Sequence, residues 1–179
     1  MPSPRADGAE DEAPVPAWVA LAGSALSVLG IALGACLTIA HYTTASVLAC
    51  AETGVINCTK VTSSSYSVVR GVPVALGGLL YFVAMLPLQL PRAWRSPRAA
   101  LRHARLAWSL VGVAAVLWLV YVELFRLDAI CLYCTAVHVV TIALFGLTAV
   151  GTALAPPERH DPAVTDREPA GAGARATPQ

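Results

Sequence analysis

AWVALAGSALSVLGIALGACLTIA, residues 17–40, runs for 24 residues without a charge. A helix rises about 1.5 Å per residue, and about 20 apolar residues cross a hydrocarbon layer of roughly 30 Å. The run lacks the two-residue alternation of a membrane barrel strand, so it predicts a membrane-spanning helix. Three further uncharged runs follow, at 72–90, at 106–122 continuing past Glu123, and at about 130–155. With 56% of its residues hydrophobic and 13% charged, the chain has the composition of a membrane protein. The expected fold is all-α: a four-transmembrane-helix bundle over 17–155, with a long extracytoplasmic loop between the first two helices.

The flanks differ in character. Residues 1–16 are rich in Pro and acidic side chains, and 156–179 mix Pro, Gly, Ala and charge without apolar period; both read as disordered cytoplasmic tails. The acidic n-region and long apolar stretch argue against a cleaved signal peptide. A net charge of +1 offers no footprint for nucleic acid.

Orientation follows from PRAWRSPRAALRHAR, residues 91–105, which carries Arg92, Arg95, Arg98, Arg102 and Arg105 and no acid. Short Arg-rich loops stay on the cytoplasmic side. Four spans then put both termini inside and turn 41–71 and 127–130 outward. Cys50 and Cys58 fall in the outer loop, and Cys131 and Cys134 at the outer end of the last span. On that side of a plasma membrane disulfides form and persist.

The pattern C-x-x-C by itself serves zinc, haem attachment and dithiol exchange alike. Haem needs His directly after the second Cys, where Thr135 stands. A closed zinc site needs about four donors; the four outer cysteines would supply them, but a metal would fix a loop at the bilayer surface for no evident gain. Inert disulfide staples are the structural alternative. They suit Cys50 and Cys58 better than Cys131 and Cys134, because a bond within one helical turn closes too short a loop to stabilise much. A helix starting near Cys131 would lower a thiol pKa there through its free N–H groups and dipole. Cys131, Cys134 and His138 share one helical face, and His138 reads as a proton-moving or a packed, hydrogen-bonded imidazole. Glu123 and Arg126 are expected to form an interfacial ion pair or to snorkel, with a functional role as the lesser alternative. Trp18 and Trp108 are expected to sit at interfaces or in packing, and Cys36 to pack against a neighbouring helix. The Gly77-Gly78 step is expected to allow close helix approach.

CAETGVINCTKVTSSSYS from Cys50, GVPVALGGLLYF from Gly71 and YVELFRLDAICLYC ending at Cys134 together resemble the vitamin K epoxide reductase family, in its bacterial branch without a fused thioredoxin domain. The likeness runs from about Trp18 to Ala155. It implies that Cys131 and Cys134 are the active-site pair beside a quinone and that Cys50 and Cys58 are the loop pair that shuttles electrons. Ser64, six residues after Cys58, falls where the family has a Ser or Thr that holds a quinone oxygen; His138 is the second candidate for that role. Menaquinone is the expected carrier, with ubiquinone or a vitamin K type as alternatives. The expected partner is a separate extracytoplasmic thioredoxin-fold protein of the DsbA kind.

Two positions depart from the family. Pro73 falls where eukaryotic members have an asparagine that holds the quinone, and His138 where they have a Tyr. Both weaken the alternative of a eukaryotic-type vitamin K epoxide reductase. The DsbB family, also four helices with two cysteine pairs and a quinone, has those pairs in the reverse order. The remaining alternative is a structural membrane protein stapled by disulfides or metal.

Overall fold

The computed structural model describes residues 15–43, 48, 50, 52–96 and 98–154. The expected disordered tails lie outside the described residues, apart from Val15 and Pro16. Helix α1 (Ala17–Tyr42) leads into the outer loop, whose described part holds α2 (Cys58–Thr62) and a 3-10 turn (Ser65–Ser67). Strands β1 (Val68–Val69) and β2 (Val72–Pro73) make a small antiparallel hairpin, with Val68 opposite Pro73 and Val69 opposite Val72. The hairpin turns through Arg70 and Gly71, both at positive φ (52° and 83°), as a two-residue turn between right-twisted strands requires. Then come α3 (Val74–Gln89), the short α4 (Pro91–Trp94), α5 (Ala99–Val122) with a π turn at Glu123–Leu127, and α6 (Leu132–Ala153).

Three helical stretches are long and apolar enough to cross a membrane: Ala17–Tyr42, Ala99–Leu127 and Leu132–Ala153. The apolar run at 72–90 forms a shorter helix of 16 residues, α3, because its first two residues are used in the hairpin and Leu90 has left helical geometry. The third run begins earlier than its apolar stretch, at Ala99, since Arg is a good helix former and the helix continues through Arg102 and Arg105. The last helix starts at Leu132, with Cys131 as its cap.

The distribution of polarity is that of a protein solvated by lipid. Leu21, Val28, Leu117, Trp118, Val139 and Ile142 are exposed on the outside of the bundle, whereas Ser27, Gln89, Ser109, Thr141 and Thr148 are buried within it. Among lipid tails there is little hydrophobic gain in joining helices, so small residues and interhelical hydrogen bonds do that work. On α1, Gly23, Ser27, Gly30 and Gly34 form a buried stripe. At Gly34 the backbone of α3 comes so close that an added Cβ would lie 3.0 Å from the Leu79 Cα. The expected close approach at Gly77 and Gly78 is not there: a Cβ at either would meet nothing within 4 Å, because α3 turns other residues, Leu79 and Phe82, towards α1.

A polar knot ties the opposite end of the bundle. Gln89 Nε2 donates to Thr148 Oγ1 at 2.8 Å, Trp94 Nε1 donates to Gln89 Oε1 at 3.2 Å, and Ser24 Oγ reaches the Gln89 carbonyl at 3.2 Å. The buried Arg105 donates from Nε to the Leu88 carbonyl at 2.9 Å and lies 3.6 Å over the Trp94 ring. Five helices meet there, so the far end of the bundle is fixed while the cysteine end carries a cavity. Between them Phe82, Met85, Val140 and Leu144 form an apolar core.

Two substitutions separate the real contact from the expected one. Gly34→Leu should overpack the α1–α3 seam at a cost of about 1–3 kcal/mol. Gly77→Ala should be neutral or stabilise by up to about 1 kcal/mol. Equilibrium unfolding in detergent micelles, followed by tryptophan fluorescence, would show the ranking.

Candidate active site

The outer loop is anchored to the start of α6 through backbone hydrogen bonds. Val55 to Asn57 lie alongside Ile130 as a short parallel bridge: Ile130 N–H donates to the Val55 carbonyl at 2.9 Å, and Asn57 N–H donates to the Ile130 carbonyl at 3.1 Å. The loop segment turns back just before this through Gly54, at φ 57°, between the paired Thr53 and Ile56. Cys58 follows Asn57, and Cys131 follows Ile130. Both cysteines are therefore carried forward from the same bridge and pack together in one buried cluster with Leu37, Ala40 and Leu48.

Asn57 also starts α2. Its Oδ1 accepts the Lys60 N–H at 2.7 Å, a side-chain cap that satisfies one of the free donors of the first turn. Thr59 Oγ1 donates to the Glu52 carboxylate at 2.5 Å, which ties the helix back to the loop. Cys58, the first residue of this helix, is disulfide-bonded to Cys50 with Cα atoms 6.2 Å apart. The pairing that the resemblance implies for the loop is thus present.

Cys131 and Cys134 are both free thiols. Cys131 caps α6 with its sulfur: Sγ accepts the Cys134 N–H at 3.4 Å. This is the helix-start environment expected of a stabilised thiolate. Cys131 stands outside the α6 span, and the hydrogen bond from the Cys134 thiol holds its pKa below the ordinary cysteine value, against the opposing effect of burial. Cys131 is fully buried and packs in the cluster that holds Cys58.

Cys134 opens on the other side, onto a cavity of about 110 Å³. Its walls are aliphatic, with Leu37 from α1, Val61 from α2, Val74 from α3, Leu119 from α5 and Val137 from α6. The polar side chains on it include Ser64, Glu123, Cys134 and His138. Ser64 precedes the 3-10 turn, and its Oγ donates to the Val61 carbonyl at 2.9 Å. Of the six residues singled out from the sequence, the structure therefore puts Cys134, Ser64 and His138 on one cavity and Cys58 and Cys131 in one buried cluster, with Cys50 packed against it.

Glu123 is the residue whose expected role changes. Glu123 is 6% exposed, lies beside Cys134 and lines the same cavity. Among the described residues it makes no ion pair with Arg126, which is exposed. The reason is the π turn: its wider winding breaks the i, i+3 alignment of the two side chains and presents Glu123 to α6. The available signal was an acid in a run otherwise free of charge, which favours a functional site over a surface pair. Cys36 also differs from expectation, being exposed on the outside of α1 instead of packed against a neighbour.

A sequence model of the vitamin K epoxide reductase family matches residues 21–149, a stretch that takes in α3, α5, most of α1 and α6, and both cysteine pairs. The chain belongs to the vitamin K epoxide reductase family. Comparison with curated individual proteins returns no match. Membership makes the chain an oxidoreductase of a family whose members use quinones, and its three long apolar helices make it a multi-pass membrane protein. A vitamin K epoxide reductase fold thus frames the bridge, the two cysteine pairs and the cavity.

The bridge makes a direct prediction. In a Cys50→Ala, Cys134→Ala chain, the remaining Cys58 and Cys131 should join in a disulfide under mild oxidation. Adding Ile130→Pro removes the N–H that donates to Val55 and should slow that joining by about tenfold or more, the effect of losing roughly 1.4 kcal/mol of alignment. Gel mobility after alkylation and partial proteolysis would report it.

Proposed function

We propose that this chain is a thiol:quinone oxidoreductase that reoxidises an extracytoplasmic thioredoxin-fold protein of the DsbA kind. The observation that carries the reading is the packing of Cys58, disulfide-bonded to Cys50, in one buried cluster with Cys131, with Cys134 on the cavity. In this reading Cys50 is attacked by the partner's thiolate, and Cys58 leaves. Cys58 then attacks an oxidised Cys131–Cys134 pair at Cys131, releasing Cys134 as the thiol facing the cavity. The partner's second thiol frees Cys50, which attacks Cys58, restores the Cys50–Cys58 disulfide and releases Cys131 as a thiol. Each exchange passes through a mixed disulfide.

The cavity suits a quinone. Aliphatic walls accept a flat ring, while Ser64 and His138 would hold its oxygens; Glu123 and Cys134 complete the polar side. A bound quinone supplies the sink for two electrons and two protons. Menaquinone is the carrier we favour.

In the membrane we place α3 as the second of four spans, between α1 and α5. At 16 residues it covers about 24 Å, short of a full hydrocarbon layer, and modest local thinning accommodates such a difference. The Arg-rich 91–105 segment then lies in the cytoplasm, with both tails, and the cysteines face the oxidising side of the plasma membrane.

Purified protein given a dithiol and a menaquinone analogue should reduce the quinone, read by absorbance. Cys134→Ala should abolish this and Cys36→Ala should leave it near the wild-type rate; equal effects would sink the assignment of the pairs. A Cys58→Ala chain should accumulate a mixed disulfide between Cys50 and its partner. Recovery of no thioredoxin-fold protein in that adduct would remove the partner from the proposal.

A further inference from the structure

We propose that Glu123 is the base that takes the proton from the Cys134 thiol and delivers it into the cavity. The inference rests on the thiol:quinone reading and adds a catalytic residue to it.

Glu123 is nearly enclosed, at 6% exposed, and among the described residues no cation pairs with it. Burying a carboxylate without compensation is costly, and a thiol is a weak donor. An acid kept only for stability would be better served by backbone N–H groups or an arginine. Here its neighbour is the cysteine that opens onto the cavity, and both side chains line that cavity. The backbone is built to hold it there: the Glu123 carbonyl accepts N–H groups from both Asp128 and Ala129, closing the π turn. Asp128 takes positive φ, 45°, to complete that closure. Such turns within helices are frequent at functional sites.

The two thiols are also unequally provided for. Cys131 has the Cys134 N–H on its sulfur, so the helix start stabilises its thiolate. Cys134, one turn in, needs another group to take its proton. Oxidising the pair releases two electrons and two protons. The Cys134 S–H bond breaks and an O–H bond forms on Glu123, leaving the electron pair on sulfur. As the Cys131–Cys134 disulfide forms, two electrons pass to the quinone-class acceptor. Glu123 then gives up its proton to the reduced acceptor, the Cys131 proton joins it there, and the carboxylate is restored.

The titratable groups around Glu123 are Cys131, Cys134 and His138 at α6 and His41 on α1, which lines the same cavity. From α2 come the disulfide-bonded Cys58 and the exposed Lys60, and from its own turn the exposed Arg126.

The test uses the full chain in detergent and needs no quinone. In a Cys131→Ala background, the rate of Cys134 alkylation by iodoacetamide, followed by mass spectrometry, is measured across pH. With Glu123 present the profile should show two steps, because carboxyl and thiol titrate as a coupled pair; with Glu123→Gln it should show one. In the chain with all cysteines intact, Glu123→Gln should slow quinone reduction by about 10²-fold, within the usual range for a positioned acid or base. An unchanged alkylation profile, or an unchanged turnover rate, overturns the assignment. If Glu123→Gln fails to fold, judged by loss of the Cys50–Cys58 disulfide, Glu123→Asp decides: it should keep the two-step profile, and a single step overturns the assignment. A wild-type chain that reduces no quinone would instead bring down the functional reading, whatever the alkylation profiles show.

Discussion

Two backbone hydrogen bonds, between Ile130 and the Val55–Asn57 segment, are the constraint on which the site depends. A loop disulfide and a helix-start dithiol are useful to one another only if one sulfur of each can meet. Residues 58 and 131 are far apart in sequence, and side-chain packing alone would leave the loop free to slide. Pairing the backbone immediately before each cysteine removes that freedom and sets a register, as a strand pair does. The cap from Asn57 and the Thr59–Glu52 contact then fix the direction in which α2 leaves the bridge.

The other end of the bundle answers a different demand. Backbone polar groups inside a bilayer must be satisfied within the protein, and the helices must be held together without a hydrophobic gain over lipid. The Gln89, Thr148, Trp94, Ser24 and Arg105 knot meets both demands at the end remote from the cysteines. The small-residue stripe of α1 lets α3 lie against it along much of its length. A firm base and close seam permit a cavity at the cysteine end, where α1, α3, α5 and α6 leave room beneath α2.

What was legible in the sequence follows from the kind of signal each residue carries. Long uncharged runs announce helices by length alone, the cysteine spacings suggested a redox pair, and Ser64 entered only through the family resemblance. His138 was legible as a neighbour of Cys134 because helical period puts the two on one face. Glu123 was misread since a pair with Arg126 assumes an unbroken α-helix, and no local pattern in ELFRL declares a π turn. Gly77-Gly78 drew attention as a doublet, yet the contact belongs to glycines spaced along α1, whose partner on α3 is a matter of how two helices face each other. Gln89 and Arg105 appeared as a helix-end residue and a topology signal, and their burial depends on three other helices.

The sequence by itself determined that the chain is helical and apolar enough for a membrane, which residues bear thiols, and which of these lie near the start of α6. These are local properties, set by composition, helical period and spacing. Only the tertiary structure decided that Cys58 and Cys131 share one buried cluster, and that Cys134 shares a cavity with Ser64, His138 and Glu123. Those facts depend on hydrogen-bond register between distant segments and on the widened turn at Glu123–Leu127, where one extra residue per turn redirects a side chain in a way that no repeat in the sequence encodes.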